Sequence, residues 1–130
     1  MFETIQWHCH VRATDRRAAE RVIGRLASRL DRPIELQSYE RYGKFPELAR
    51  LRLVSPVRCP TAEHALMTAL EYAWTIATPW SLGSPGPSPR QEFEGIAAAN
   101  IGARFSVPGI EWMEFRITRS SGSGDLSGTE

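Results

Sequence analysis

An α+β fold is predicted by three observations. Apolar and polar side chains alternate without a break over residues 5–12, two later segments repeat apolar residues at helical spacing, and each of these is followed by further alternating stretches. The resulting order is strand, helix, strand, strand, helix, then two or three further strands. Such an order suits an antiparallel sheet with both helices on one face: the ferredoxin-like split βαβ plan with an extra C-terminal hairpin. A chain of 130 residues that is 42% hydrophobic is long enough for one domain with a core of its own.

In the first strand, Ile5, Trp7, Cys9 and Val11 share one face and Gln6, His8, His10 and Arg12 the other, because successive strand side chains project oppositely. Thr14 or Asp15 then caps a helix whose inner side carries Ala19, Val22, Ile23, Leu26 and Leu30, and Pro33 stops it. A second strand is expected from Ile34 to Tyr42, with Ile34, Leu36 and Ser38 opposed to Glu35, Gln37 and Tyr39. The turn-rich run Tyr42–Glu47 leads to a third strand in which Ala49, Leu51 and Leu53 alternate with Arg50 and Arg52. The two strands are read as a hairpin.

Thr61 caps the second helix, whose stripe Ala65, Leu66, Ala69, Leu70, Ala73, Ile76 and Ala77 marks it as the most hydrophobic and deepest element. Residues 80–84 and 93–97 are expected to pair as short strands across the proline-rich stretch 85–89, where fixed dihedrals and missing donors forbid a regular element. The stretch 101–106 fits a helical turn or a strand. Pro108-Gly109 is a turn, and residues 110–118 form a last strand with Met113, Phe115 and Ile117 on one face. One domain over residues 1–118 is expected, with a disordered tail over 119–130 too poor in apolar residues to order itself.

The net charge of +1 argues against a globally basic nucleic-acid binder and against an acidic nucleic-acid mimic. The two cysteines, Cys9 and Cys59, form no CxxC pair, and Cys9 falls on the core face, which favours a small buried hydrophobe over a disulfide or metal ligand. The first residues lack a basic region followed by an apolar run, and no apolar window is long enough to span a bilayer. A bacterial-type cytoplasmic protein is the expectation.

The most chemical feature is the pair of imidazoles, His8 and His10, on one strand face. They could give a metal two ligands, with a third from His64, Cys59, Glu35 or Glu40, but no spacing enforces it, and no metal or other cofactor is expected. As an enzyme the chain would use His8, His10 or Tyr39, or Trp80 in a pocket. It has no nucleophile elbow, glycine-rich phosphate loop or HExxH, and Glu92 and Glu94 read more simply as a solvated strand face than as an acid and base pair.

Arg17, Arg21, Arg25 and Arg29 recur every four residues on the first helix, as a solvated face or as a surface for an anionic partner. An acidic protein face suits them better than nucleic acid, given the balanced total charge. The outer positions of the central strands read His8, His10, Arg50 and Arg52, with no aromatic pair of the kind on which RNA-recognition modules stack bases. Trp112 falls opposite Met113 and Phe115 and is a candidate anchor at an interface.

The reading is therefore a non-catalytic protein-binding module, in its concrete form an inhibitor or immunity-type protein. Its partner would meet His8, His10, Tyr39, Arg50, Arg52 and Trp112. The alternative is a small dimeric α+β-barrel enzyme or small-molecule binder using His8 and His10, in which two sheets pack face to face as a homodimer. No membrane partner is expected.

Overall fold

The computed structural model describes residues 2–83 and 91–118, without the side chains of residues 91, 92 and 118. The proline-rich stretch 85–89, the expected tail and the side chain of Glu92 lie outside the described residues. The described elements are strand β1 (Phe2–Arg12), helix α1 (Arg16–Leu30), β2 (Glu35–Arg41), β3 (Leu48–Cys59), α2 (Ala62–Ile76), β4 (Ala77–Thr78), β5 (Ser81–Gly83), β6 (Gln91–Ala98), β7 (Arg104–Phe105) and β8 (Ile110–Thr118). The class is α+β. A six-stranded antiparallel sheet runs β2-β3-β1-β8-β6-β5, and β4 pairs with β7 in a separate two-stranded ribbon.

The alternation in β1 does what strand geometry requires: Ile5, Trp7, Cys9 and Val11 are buried while Gln6 is exposed and His8 and His10 are half-buried. Rows of side chains cross the buried face, and two of them run over β2, β3, β1, β8 and β6. Leu36, Leu53, Trp7, Phe115 and Gly95 form one, and Tyr39, Leu51, Cys9, Met113 and Ala97 the next. Trp7, Phe115 and Trp80 pack in mutual tilted contact, with centroids 5.4–6.4 Å apart. Gly95 sits where any Cβ would lie 2.5 Å from the Phe115 ring, so its lack of a side chain makes room for that ring.

Each helix begins as its sequence dictates. The Asp15 carboxylate accepts from the Ala18 amide at 2.8 Å, and the Thr61 hydroxyl accepts from the His64 amide at 3.1 Å, each satisfying a first-turn donor. Helix α1 ends on Asp31 in the left-handed region (φ 54°), whose amide bonds to the carbonyls of Ala27 and Ser28. Ala65, Ala69 and Ala73 face the sheet from α2, and these small side chains let its backbone approach closely. Leu66 and Leu70, expected on the buried stripe, are only half-buried.

Three expectations are corrected here and one open reading is resolved. The extra hairpin, β5 with β6, is inserted between α2 and β8, so the last strand lies inside the sheet and pairs with both β1 and β6. Residues 99–101 form a single 3-10 turn and 104–105 the short strand β7, which divides the stretch read as ambiguous. Trp80, expected in a pocket, is part of the core: it is 8% exposed, and its indole N–H donates to the carbonyls of Ala73 and Ala77 at 2.8 Å, closing the end of α2. Tyr39 leaves the outer face. The register of β2 against β3 shifts between Leu36 and Ser38, so Gln37 is the extra residue of a bulge and every later side chain changes sides.

Candidate functional site

The sheet face turned away from the helices carries three cross-strand rows. Glu40, Arg50, His10 and Trp112 make the first, Ser38, Arg52, His8, Glu114 and Ile96 the second, and Glu35, Val54, Gln6, Arg116 and Glu94 the third. Of the residues expected to meet a partner, His8, His10, Arg50, Arg52 and Trp112 are thus brought together, because β1 is flanked by β3 on one side and β8 on the other. Tyr39 is not among them, since the bulge packs it against the core.

Aromatic rings gather at one end of this face. The His10 imidazole stacks on Trp112 with centroids 4.6 Å apart and 25° between planes, and Tyr42 tilts against its other neighbouring side at 4.7 Å. Phe45 meets Tyr42 edge-on at 5.6 Å, while the Arg50 guanidinium lies 5.4 Å from the Tyr42 centroid and the Lys44 ammonium 5.8 Å from that of Phe45. The outer positions of β1 and β3 still read His8, His10, Arg50 and Arg52; the added rings come from Trp112 on β8 and from outside the strands. Tyr42 and Phe45 belong to the β2–β3 turn, which local sequence reads only as a loop; the turn curls over because Arg41 donates to the Pro46 carbonyl at 2.8 Å and to the Thr14 carbonyl.

Charge lies beside the rings. His8 Nδ1 is 3.6 Å from the Glu114 carboxylate, too long for a direct hydrogen bond, and the same carboxylate is 3.5 Å from Arg116. Arg50 and Glu40 approach to 3.6 Å, and Arg12 donates to Glu111 at 3.1 Å. Partial burial lowers the pKa of His8 below its ordinary value of 6.5, and Arg52 adds to this while Glu114 opposes it. His10 is lowered by burial, then by Arg50 and His8. Both imidazoles are accordingly neutral at pH 7, able to accept a hydrogen bond or to stack.

Two adjoining hollows open here. One of about 260 Å³ is lined by Gln6, His8, Gln37, Arg52, Glu114 and Arg116, and one of about 130 Å³ by His8, His10, Ser38, Glu40, Arg50 and Trp112. Cys9 lies beneath the face, and burial pushes its thiol up to about 12, which leaves it protonated and inert as a nucleophile. Among the described residues no three His, Cys, Asp or Glu side chains converge as a metal site. Of the metal donors considered with His8 and His10, Cys59 is buried at the far end of β3 beside Thr68 and His64 is exposed on α2, while Glu40 lines the hollow with both imidazoles but approaches Arg50 at 3.6 Å.

Arg17, Arg21, Arg25 and Arg29 are all exposed on α1, on the opposite side of the sheet from the imidazoles. Sequence reading places Glu114 beside the outward Trp112 but missed Arg116, Tyr42 and Phe45. Only alternation in the last strand hinted at Arg116. Among the described residues no helix is long and apolar enough to cross a membrane. Comparison with protein-family models, curated proteins and solved structures returns no match.

Proposed function

We propose that this chain is a protein-binding module whose contact surface is the helix-free sheet face, acting as an inhibitor or immunity-type protein that covers a partner's surface. The observation that carries this is the stacked group His10, Trp112 and Tyr42 beside Arg50, set in an otherwise polar face. Aromatic and arginine side chains are the residue types that dominate binding energy at interfaces, and here neighbouring rings already hold them in place before binding. Hollows of 130–260 Å³ are small for a metabolite and suit the protruding side chains of another protein.

The order β2-β3-β1-β8 with two helices on one side supports a ferredoxin-like plan, with β5 and β6 extending the sheet beyond β8. Such a plan leaves one sheet face open by construction. A second reading, acid–base chemistry on a small anion, rests on neutral His8 beside Glu114 and Arg52. It requires a substrate held in the larger hollow.

The test is affinity capture from cells of the source organism with three baits: wild type, Arg50→Glu/Trp112→Ala, and Arg21→Glu/Arg25→Glu. A protein retained by the first and third baits and lost with the second, with crosslinks mapping to β1, β3 and β8, supports the reading. Equal retention by all three baits, or none by wild type, refutes it.

A further inference from the structure

Helix α2 buries an alanine stripe against the sheet and carries two large apolar side chains, Met67 and Trp74, among the polar residues it turns to solvent. Ala65, Ala69, Ala73 and Ile76 are 0–2% exposed against the sheet, yet Met67 is 60% and Trp74 50% exposed. At about 100° per residue, Met67 and Trp74 fall within ~20° of each other and away from the alanines, while Leu70 turns back against the core. Glu63 and Glu71, also exposed, flank these two side chains, Glu63 one turn before Met67 and Glu71 one turn after it.

Helix α1 packs beside α2 on the same side of the sheet and presents the complementary set. Arg17, Arg21, Arg25 and Arg29 are exposed and make no ion pair among the described residues; Arg21, Arg25 and Arg29 line an open groove that reaches Ser106–Pro108, where Ser106 closes the end of α2. Two exposed apolar side chains flanked by carboxylates therefore lie next to a stripe of guanidiniums. A twofold axis in the plane of this layer, parallel to the helices, sets α2 of one copy on α1 of the other, twice over.

We infer that the helical layer is a self-association surface and that its occupant is a second copy of this chain. In the pair, Arg side chains of one copy cover Trp74 and meet Glu63 and Glu71 of the other, so one operation pairs both carboxylates and covers the ring. Charge selects this occupant over an anionic membrane surface, which would attract the arginines but repel the glutamates edging Trp74. Two helices of 15 residues side by side offer on the order of 450 Å² per copy, below the roughly 800 Å² of a standard stable interface. The association is thus weak and salt-sensitive, and it leaves the open sheet face free for the proposed partner.

Sedimentation velocity over a concentration series tests this, at low and high salt. Wild type should pass from monomer to dimer, with the transition moving to at least tenfold higher concentration at high salt. Trp74→Glu, at an exposed position, should remain folded by circular dichroism and stay monomeric. Arg21→Glu/Arg25→Glu and Glu63→Arg/Glu71→Arg should each be monomeric alone and form a heterodimer when mixed. That rescue identifies the charge pairing, because a loss of folding cannot be repaired by mixing. The inference is overturned by a wild type monomeric throughout, by no rescue in the mixture, or by a dimer that Trp112→Ala breaks and Trp74→Glu does not, which would place the contact on the sheet face. It is equally overturned if wild type binds anionic phospholipid vesicles through Trp74 without self-associating. Failure here leaves the capture experiment on the sheet face unaffected.

Discussion

Replacing Ser55 by Ala should cost this protein about 1–3 kcal/mol, far more than the removal of one oxygen atom suggests. Ser55 is 0% exposed, and its hydroxyl accepts the indole N–H of Trp7, itself 1% exposed, at 2.9 Å across the β1–β3 pair. The alanine variant keeps the volume of the site almost unchanged. What it removes is the partner of a buried donor, and a buried N–H left without an acceptor loses the water it had in the unfolded chain and gains nothing in return. Urea unfolding followed by far-ultraviolet circular dichroism measures the cost as a shift of midpoint at constant slope. A double-mutant cycle isolates the bond: in a Trp7→Phe background, which has no N–H to strand, Ser55→Ala should cost less than ~0.5 kcal/mol. Equal losses in the two backgrounds would refute the reasoning, since they would show that Ser55 acts by packing alone.

Two further outcomes follow from the same structure. Because His8 and His10 titrate below their ordinary value of 6.5 in the folded chain, the unfolded chain binds more protons around that pH, so stability should be full above about pH 6.5 and fall as pH drops through the folded values; His8→Gln/His10→Gln should flatten that decline in urea midpoints measured from pH 8 to 5. Gly95→Ala should destabilise by about 1–3 kcal/mol and shift the Phe115 ring resonances in NMR spectra, because the new Cβ would lie 2.5 Å from that ring; an unchanged midpoint would show that the ring moves aside freely.

Much of the fold was legible because it rests on local periodicity. Alternation from Ile5 to Val11 is a period-2 signal that only one strand face can bury, and the same signal in Ala49–Leu53 and in Met113–Ile117 placed two more strands correctly. Caps at Asp15 and Thr61 were legible for the same reason, since a side chain three residues from its amide is a local matter. The bulge at Gln37 was not. Nothing in Glu35–Arg41 announces which residue goes unpaired; that depends on how β2 meets β3, and one slipped residue sent Tyr39 into the core and Ser38 and Glu40 outward. The site was half legible: His8, His10, Arg50, Arg52 and Trp112 could be grouped on one partner-facing surface, but not in the rows in which they meet, and Tyr39 was grouped with them although it packs against the core.

By itself, then, the sequence determined class, sidedness and the list of side chains that avoid the core, because each follows from backbone geometry within a few residues. Only the tertiary structure decided that β8 lies against β1, which stacks Trp112 on His10 and brings Glu114 beside His8 from more than 100 positions away in the chain. It also decided that Leu66 and Leu70, read on the same stripe as the alanines of α2, are only half-buried. Pairing between distant strands is chosen by the total fit of one buried face against two helices, a global sum to which no local window gives access.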